Sequence, residues 1–462
     1  MMVPRTRAVI LVLSAGWWAA GCGDDGATAS EVGTGEADSE ESDTGEESSA
    51  EAATGDGDEA GDGDGDSSGD GDGDGDSSGD GDGDGDGDGD GDGTGDGDGD
   101  GLPPDWHAPP YLMWGAPDAM SLLWEDKLDT VGRVEYGTSA DALDEAMEDV
   151  SPTQVHEFRL EGLSPDTQYF YRVLSDGDHA SEVYSFWTAP TPSTSASFSF
   201  LVWGDNQNGP DNFTQNVANM VDDDARFSVS TGDCVQNGTR DEYRTQLFNP
   251  IAPLARSVPF LVGMGNHELY SDAGADLFNE YMAQPGDEHC FGWRWGNTYI
   301  QFIDSEQSIS VGSDQYACIV AGLSSLEATT ATFRAAAFHK PPRIEYWFGG
   351  VLAFITEMEA PWIREELEPT LESLDVQIVF NGHNHLYAHT PTTSGGITWV
   401  TTGGAGGALD TDSPLWKVGD WPEIETQVHE FHYTRVDVVD DLMTVNAIGL
   451  DGSTLHSFSI TN

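Results

Sequence analysis

The sequence is short of positive charge: its 462 residues include 17 Lys and Arg against 84 Asp and Glu, for a formal net charge of -67. A protein that binds nucleic acid by neutralising phosphates needs a basic face, so this balance excludes that class of function. Residues 23–100 contain no Lys, Arg or His at all. The chain therefore divides into a short leader, an acidic tract and a body of about 360 residues, which is long enough for a large core and, we expect, two domains.

The leader lacks an apolar run long enough to span a membrane. The run Ala8–Leu13 follows two Arg residues and is typical of a signal-peptide core. It leads to Ala19-Ala20-Gly21-Cys22, which resembles a bacterial lipoprotein cleavage box, although Ala stands where that box usually carries Leu. We expect residues 1–22 to be a lipoprotein-type signal peptide whose Cys22 is lipidated; ordinary secretory cleavage nearby is the alternative. Either interpretation predicts export, to a bacterial membrane facing the periplasm or the cell surface, or into the medium.

The acidic tract, residues 23–105, becomes a near-perfect Gly-Asp repeat between Gly61 and Gly101. Glycine maximises backbone entropy, like charges repel each other, and the repeat holds nothing apolar to bury, so we expect a disordered, low-complexity tether. Gly-Asp repeats also occur in calcium-binding rolls. Those rolls need a large apolar residue in every nonapeptide, and this repeat has none.

Residues 106–190 show short alternating segments separated by turn residues, a pattern that predicts an all-β sandwich. The clearest segment follows a Pro-Asp turn and places Tyr169, Tyr171 and Val173 on one face at a period of two. It resembles the tyrosine-corner segment of fibronectin type III domains, which have an immunoglobulin-like sandwich. Nothing in the region has the spacing of metal ligands or a nucleophile, so we expect its aromatic residues to form a core.

In residues 196–462, an apolar, β-prone run ends five times in a polar tip that contains Asp, Asn or His. Ligands placed at strand ends can converge at one rim of a sheet while the strands stay rigid, and glycines permit the sharp exit turns. The five tips are Gly204-Asp205-Asn206-Gln207, Gly232-Asp233, Gly265-Asn266-His267-Glu268, His339-Lys340-Pro341-Pro342 and Asn381-Gly382-His383-Asn384-His385.

The residue types in these tips indicate a class of metal. Two carboxylates, one amide and three imidazoles suit Zn, Mn or Fe better than a soft thiolate site would. Cys234 adjoins Asp233, but neighbouring strand residues point to opposite faces, so we expect Cys234 to be a small buried residue. Each tip alone is a common motif. All five in this order, each after an apolar run, predict a metal site.

The order GD…GD…GNHE…H…GHxH resembles the calcineurin-like metallophosphoesterase family over essentially all of residues 196–462. Together with the preceding sandwich, it is most similar to the purple acid phosphatase branch. The resemblance implies an α/β domain built as a two-sheet β-sandwich flanked by helices, with two metal ions. It also implies the ligands by position: Asp205 and His385 for the first metal, Asn266, His339 and His383 for the second, and Asp233 bridging both.

The sequence departs from the family pattern at two positions. Many members carry His two residues after the first Asp, where this chain has Gln207, a weak neutral ligand at best. Purple members carry Tyr three residues after the bridging Asp, and its bond to ferric iron gives the colour; here that residue is Gln236. The resemblance therefore implies a colourless protein with a ligand-poor first site, whose two divalent or trivalent ions, Fe, Zn or Mn, are not identified.

The resemblance also implies the chemistry, in which a metal-bound hydroxide attacks the phosphorus of a phosphorylated small molecule without a covalent enzyme intermediate. His267, of the Gly-Asn-His-Glu motif, is then the candidate that protonates the leaving oxygen. Arg343, just beyond His339, is either a contact to the phosphate or a surface residue in a salt bridge. We expect a phosphomonoesterase of the acid phosphatase type.

Alternatives share the same centre. The enzyme can instead be a phosphodiesterase or hydrolyse nucleotides, because the loops that choose the substrate are not decoded. Insertions at 308–332 and 342–370 either wall the pocket or pack as core; the second carries Tyr346, Trp347, Phe348 and Trp362. The Gln207 departure also motivates a rival of another class, a non-catalytic, surface-anchored metal-binding protein.

Once Cys22 is lipidated, three cysteines remain. An exported protein permits disulfides but does not require them, so Cys290 and Cys318 are either a disulfide or two free thiols. His389, four residues past His385, is expected to support the site or the fold rather than to bind metal.

Overall fold

The computed structural model describes residues 106–177, 179–347, 362–392 and 396–462. The leader, the lipidation candidate Cys22, the Gly-Asp tether and Phe348 lie outside the described residues. In chain order, the strands are β1 (Trp106–Met113), β2 (Ala119–Thr130), β3 (Gly132–Gly137), β4 (Glu145–Glu148), β5 (Thr153–Glu161), β6 (Gln168–Ser175), β7 (His179–Ala180), β8 (Tyr184–Trp187), β9 (Ser197–Trp203), β10 (Ser228–Ser230), β11 (Phe260–Val262), β12 (Phe291–Trp295), β13 (Thr298–Phe302), β14 (Phe333–Ala337), β15 (Ile378–Asn381), β16 (Tyr387–Thr390), β17 (Thr398–Thr402), β18 (Thr426–Val428), β19 (His432–Val439), β20 (Leu442–Gly449) and β21 (Thr454–Thr461).

The helices lie between the strands of the second region. They are α1 (Pro210–Val221), α2 (Arg240–Glu242), a π-helical turn (Tyr243–Phe248), α3 (Asn249–Ala255), a 3-10 turn (His267–Leu269), α4 (Asp276–Tyr281), α5 (Asp314–Leu323), α6 (Leu326–Thr329), a second π-helical turn (Ile363–Leu367) and α7 (Glu368–Ser373). Within the described part of the chain, no helix is both long and apolar enough to cross a membrane.

The first region is the expected β-sandwich. Strands β1, β2 and β5 face the sheet of β4, β3, β6 and β7, in which β8 also pairs with β6. The predicted core residues Tyr169, Tyr171 and Val173 are buried between them. The hydroxyl of Tyr169 accepts a hydrogen bond from the Ser164 N–H (2.9 Å), the backbone contact expected of a tyrosine corner.

The second region is a sandwich of two mixed sheets flanked by helices, as expected. One sheet runs in the order β21-β20-β19-β9-β10-β11-β1-β2-β5, and the other in the order β12-β13-β14-β15-β17-β16-β18. Apolar residues from both sheets form one core, in which Phe200 and Phe380 meet edge to face, with centroids 6.2 Å apart. Strands β9, β10 and β11 are parallel, as are β13, β14, β15 and β17. These central strands are almost entirely buried because both faces of each sheet are covered.

The two regions share one sheet. Strand β1 pairs in parallel with β11, with Met113 opposite Phe260, so that a sheet of the first sandwich continues into the second. Two hydrogen bonds also join the two regions: the Tyr111 hydroxyl donates to the Tyr281 carbonyl (2.8 Å), and the Tyr171 hydroxyl donates to the Arg256 carbonyl (2.7 Å). Strands separated by more than 100 residues therefore form a continuous scaffold below the polar strand ends.

Candidate metal centre

The five polar tips follow the carboxyl ends of five parallel strands: β9, β10, β11, β14 and β15. Three of the predicted ligands, Asp205, Asp233 and His383, have positive φ angles of 61°, 54° and 67°. This region costs free energy for residues other than glycine and is typically retained at functional sites. The glycine before His383 is needed for a different reason, since a methyl group at Gly382 would overlap the Asp205 carboxylate. The chain bends sharply so that side chains from different strands point to one place.

One group of side chains gathers around His339. Its Nε2 lies 3.0 Å from Asp233 Oδ2, 3.1 Å from Asn266 Oδ1 and 3.1 Å from His383 Nδ1. Asp233, His339 and His383 are buried and place their ligand atoms within 4.8 Å of one another. These are the four residues that the family resemblance implies for the second metal and its bridge.

A second group adjoins the first and shares Asp233. The ligand atoms of Asp205, Asp233 and His385 also lie within 4.8 Å of one another, and His385 Nε2 is 3.5 Å from Asp205 Oδ1. Gln207 reaches this group: its Nε2 is 3.3 Å from Asp233 Oδ2 and 3.1 Å from His385 Nε2. Gln207 therefore lies within this second group, with its amide nitrogen facing the Asp233 carboxylate.

The histidines are oriented as metal ligands. Nδ1–H of His339 donates to the Thr231 carbonyl (3.0 Å), and Nδ1–H of His385 donates to the Ala408 carbonyl (2.7 Å). A carbonyl can only accept, so in the neutral ring each Nε2 carries the lone pair and points inward. This arrangement of a bonded outer nitrogen and a free inner nitrogen is the usual support of a metal-bound imidazole.

Two further observations show that the site fits cations. Asp205 Oδ2 and Gln207 Oε1 are buried and accept no hydrogen bond from any described residue, an arrangement that is costly unless a cation completes it. His339 Nε2 lies 3.0–3.1 Å from Asp233 Oδ2, Asn266 Oδ1 and His383 Nδ1. Two of these atoms are oxygens that can only accept, so the Nε2 position calls for positive charge, supplied by a proton on the ring in the metal-free protein or by a bound cation; burial alone would lower the pKa of His339, but Asp233 raises it to about 10.

The pKa values show the same demand for positive charge. Burial raises the pKa of Asp205 to about 6. Burial acts in the same direction on Asp233, but the charge and hydrogen bond of His339 outweigh it and hold the Asp233 pKa well below its usual range. Burial, followed by the charge of His339, lowers the pKa of His383 well below its usual value, which keeps that ring neutral as metal binding requires.

Glu268 holds two of the ligand loops together, and sequence reasoning assigned it no role of its own. Its buried carboxyl accepts hydrogen bonds from the N–H groups of Asp233 (3.1 Å), Cys234 (2.6 Å) and Gly265 (3.0 Å). Burial, followed by the charge of Asp233, raises the pKa of Glu268 to about 8. The loop after β10 is therefore tied to the loop after β11 through one side chain.

Asp410 was missed altogether, because no motif surrounds it. Its Oδ2 accepts hydrogen bonds from the His385 N–H (2.8 Å) and from Asn384 Nδ2 (2.7 Å). Asn384 Nδ2 also donates to the Tyr346 carbonyl (2.8 Å). A residue 25 positions from His385 thus orders the last ligand loop, a relation that becomes visible only when the chain is folded.

His267, the candidate proton donor, lies beside the centre. Its N–H donates to Asp233 Oδ1 (2.9 Å), its Nδ1 donates to the Gln236 carbonyl (2.6 Å), and its Nε2 is 3.8 Å from Asp233 Oδ2. The residue at the position of the purple members' Tyr therefore takes part through its backbone carbonyl, which orients the His267 ring.

Arg343 forms an ion pair with Glu368, with Nη2 3.1 and 3.2 Å from the two carboxylate oxygens. This pairing is the alternative foreseen for it. Its Nε and Nη1 are buried and have no acceptor among the described residues. A contact between Arg343 and phosphate stays a prediction.

The aromatic residues of the second insertion divide into two sets. The Trp347 ring lies 4.8 Å from the His383 ring, at the wall of the centre, whereas Trp362 packs against an apolar cluster of the second sheet. In the first insertion, Ile319 and Leu323 of α5 are buried in that same cluster. The first insertion and Trp362 thus contribute to packing, whereas Trp347 lies against the candidate ligand His383.

The side chains of the described cysteines and of His389 do not belong to the two ligand groups. Cys290 and Cys318 are joined by a disulfide, and Cys234 is a buried free thiol. His389 stacks on Phe458, with centroids 4.0 Å apart, and burial lowers its pKa to about 4. His389 is thus a neutral packing residue.

Comparison with known proteins agrees with this geometry. Residues 109–188 match the N-terminal domain of purple acid phosphatases, and residues 198–387 match the calcineurin-like phosphoesterases. The chain is 24% identical to purple acid phosphatase 23 of Arabidopsis thaliana over 50% of this chain and 57% of that protein, and 26% identical to purple acid phosphatase 21 of the same plant over 57% and 61%. It is also 24% identical to probable inactive purple acid phosphatase 24 of that plant, over 63% and 54%. The chain thus spans about half the length of the curated relatives it matches.

Among solved structures, the fold resembles a purple acid phosphatase from yellow lupin (Lupinus luteus) seeds, with a TM-score of 0.66, 18% identity, and coverage of 76% of this chain and 74% of that one. It also resembles PhoD, with a TM-score of 0.58, 14% identity, and coverage of 77% and 90%. At these identities the likeness shows the fold.

Proposed function

Because the chain belongs to the calcineurin-like metallophosphoesterases and carries the N-terminal domain of purple acid phosphatases, we propose that it hydrolyses phosphate monoesters at a centre of two metal ions. The observation that carries this proposal is the pair of ligand groups that share Asp233, in which all members but the partly exposed His385 are buried. One group offers Asn266 and two imidazoles, and the other offers a second carboxylate and a third imidazole. A shared carboxylate between two nitrogen- and oxygen-rich sites suits two ions of Fe, Zn or Mn.

The protein groups around the centre have distinct tasks. When bound, two such ions lower the pKa of a shared water and polarise phosphoryl oxygens. Asp233 is held for bridging, because its Oδ1 accepts the His267 N–H while its Oδ2 faces the ligand groups. His267 donates from Nδ1 to a carbonyl, so its Nε2 can give a proton to a leaving oxygen only when the ring is doubly protonated.

The test combines metal analysis with turnover of p-nitrophenyl phosphate and bis-p-nitrophenyl phosphate across pH. We expect two metal ions per chain and a preference for the monoester. Asp233→Asn keeps the shape of the side chain but turns an N–H toward the ligand groups, so turnover should fall at least about 10³-fold, as loss of several kcal/mol of metal-based stabilisation requires. Asp211→Asn, at an exposed position in the first turn of α1, is the matched control.

Other outcomes separate the rivals. A preference for the diester assigns a phosphodiesterase to the same centre. Bound metal with no turnover on either substrate refutes the enzyme and favours a metal-binding protein, a role that would accord with Gln207 in the first site. Absence of a visible charge-transfer band in the iron-loaded protein is expected, because Gln236 stands where purple members carry Tyr.

We propose that the protein is exported and lipid-anchored through Cys22, with residues 23–105 as a tether. The leader pattern supports this proposal, and the disulfide between Cys290 and Cys318 suits an oxidising compartment. Mass spectrometry of the mature N-terminus tests it: a diacylated Cys22 is expected, and an unmodified terminus near residue 20 would indicate secretion without an anchor.

A further inference from the structure

Gln246 lies in the π-helical turn Tyr243–Phe248, outside every motif of the ligand loops, yet it touches two of those loops. Its Oε1 accepts hydrogen bonds from the N–H groups of Asn208 (2.8 Å) and Gln236 (3.0 Å). Its backbone carbonyl accepts a third from Asn206 Nδ2 (2.8 Å). A primary amide oxygen has two lone pairs, and both are used here to join separate segments of chain.

These hydrogen bonds flank Gln207, the residue that leaves the first metal site poor in ligands. Asn206 and Asn208 stand on either side of Gln207, in the loop that carries Asp205. Gln236 is three residues past Asp233, and its carbonyl orients the His267 ring. Asn206 Nδ2 also donates to the Cys234 carbonyl (3.0 Å). Gln246 thus sets the distance between the loop of the first metal site and the loop of the bridging carboxylate.

The turn that carries Gln246 is itself anchored to the N-terminal sandwich. Arg244, two residues earlier, makes a two-pronged contact with Glu125 of β2, with nitrogen–oxygen distances of 2.7 and 3.0 Å. Glu242 accepts hydrogen bonds from the N–H groups of Asn237 (2.9 Å) and Thr239 (3.1 Å), which shapes the approach from the Asp233 loop. The segment is therefore fixed on one side by the sandwich and on the other by the ligand loops.

We propose that Gln246 is a positioning residue of the metal centre, and that the N-terminal sandwich, through Glu125 and Arg244, holds it in register with both loops. The catalytic consequence rests on the proposed function, whereas the order of the loops and the affinity for metal do not require turnover. The N-terminal sandwich then has a defined role: through Glu125 it fixes the position of the segment that orders the first metal site.

The test compares Gln246→Leu, which removes both acceptor lone pairs, with Gln246→Glu, which keeps an acceptor of the same reach. The matched control is Gln215→Leu, since Gln215 is exposed on α1 and its amide donates only to the Leu450 carbonyl among the bonds described for it. The probes are amide hydrogen exchange of the metal-free protein, titration with Zn²⁺ and with Mn²⁺ against a competing chelator, and kcat and KM for p-nitrophenyl phosphate.

We expect Gln246→Leu to speed exchange in peptides that cover residues 206–210 and 234–238 and to weaken the second-bound metal ion about tenfold or more, the usual effect of removing a residue that orients ligands. kcat should fall with little change in KM, and Gln246→Glu should recover most of the metal affinity. Gln215→Leu should match the wild type in all three measurements.

The outcomes distinguish this proposal from the proposed function. Wild-type exchange and wild-type metal affinity in Gln246→Leu overturn the positioning role, whatever the turnover. Faster exchange confined to those two peptides upholds it even if the wild type hydrolyses neither substrate, a result that would refute the enzyme alone. Equal loss of affinity in Gln246→Leu and Gln246→Glu also overturns it, because the acceptor oxygen would then be irrelevant.

Discussion

Glu125 offers the sharpest stability test, because a fully buried carboxylate of the first region is bonded to three residues of the second. It accepts from Arg244 Nε and Nη2 (3.0 and 2.7 Å), from Arg240 Nη1 (3.3 Å) and from the Tyr281 hydroxyl (2.9 Å). The perturbation is Glu125→Gln, which preserves the shape but removes the charge and turns an N–H group toward donors. The exposed Glu161→Gln, at the end of β5, is the matched control.

The magnitude follows from burial. Breaking a buried ion pair by removing one partner costs about 3–5 kcal/mol. The Glu125 side chain is 0% exposed, whereas those of Arg244 and Arg240 are 16% and 34% exposed and can be partly rehydrated. We therefore discount the pair for this rehydration and expect a loss of about 2–4 kcal/mol. With an unfolding entropy of about 2 cal/mol/K per residue over a body of about 360 residues, this loss corresponds to a fall in Tm of about 3–5 °C.

The dependence on pH gives a second signature. Burial alone would raise the pKa of Glu125, but hydrogen bonds from Arg244 and Tyr281 and the charges of both arginines lower it below its usual value. A depressed folded pKa contributes stability that is present above the unfolded pKa of about 4.3 and is lost as the pH falls through the folded pKa. The difference between wild type and Glu125→Gln should therefore be full above about pH 5 and shrink in stronger acid.

The assay is urea-induced unfolding, with a double-mutant cycle that adds Arg244→Met. We expect a coupling free energy of more than about 1.5 kcal/mol between the two positions, because each charge is costly without the other. A loss of less than about 0.5 kcal/mol in Glu125→Gln, the range of ordinary surface changes, would refute the reasoning. Coupling near zero would refute it independently.

Three further predictions concern other parts of the scaffold. Burial alone would lower the pKa of His156, but hydrogen bonds to the two flanking carboxylates raise it. The stability that the His156 ring contributes is therefore present below about pH 6.5 and lost as the pH rises through the folded pKa. The difference in urea stability between wild type and His156→Phe should shrink as the pH rises, and a difference that stays constant with pH contradicts this. Reduction of the disulfide, or replacement of both Cys290 and Cys318 by Ser, opens a bridge across 28 positions and should cost about 3–4 kcal/mol of unfolding free energy; an unchanged Tm would count against it. Gly382→Ala places a methyl group against a ligand carboxylate and should weaken metal binding at least about tenfold in a chelator titration, whereas Gly274→Ala, whose methyl group would meet nothing closer than 3.7 Å, should bind normally.

The ligand tips could be read from the sequence because each is local. An apolar run followed by Gly-Asp or Gly-x-His reports a buried strand and its exit turn within about ten residues, and parallel strands deliver their carboxyl ends to the same rim. Asp205, Asp233 and His383 were therefore identifiable as candidate ligands before any contact was known. The sandwich core was identifiable for the same reason, since Tyr169 and Tyr171 alternate at the period of a strand.

The residues that hold these ligands in place could not be read in this way. Glu268 is recognisable only as the last letter of a motif, and its three bonds to backbone N–H groups depend on how two loops approach each other. Gln246 carries no motif, because its side chain bonds only to backbone N–H groups, which almost any residue can supply. Asp410 carries none either, because one of its partners is a backbone N–H and the other, the Asn384 amide, is 26 positions away. The sequence left two roles open for Arg343, a contact to phosphate or a salt bridge, and only the fold shows that Glu368 lies near enough to form an ion pair with it.

The sequence by itself determined the order of the strands' polar ends and the types of candidate ligand, and from these it predicted a class of metal, because they depend on side-chain chemistry and short-range periodicity. The lack of positive charge excluded nucleic-acid binding through a basic face but not a phosphate substrate, because the ligand set predicted metal ions that supply positive charge locally. Only the tertiary structure decided that β1 joins β11, that Glu125 fastens one region to the other, and that Gln246 spans two ligand loops. These contacts link positions up to 147 residues apart in the strand pairing alone, and the free energy that selects them comes from burial and hydrogen bonding across the fold, which no local pattern encodes.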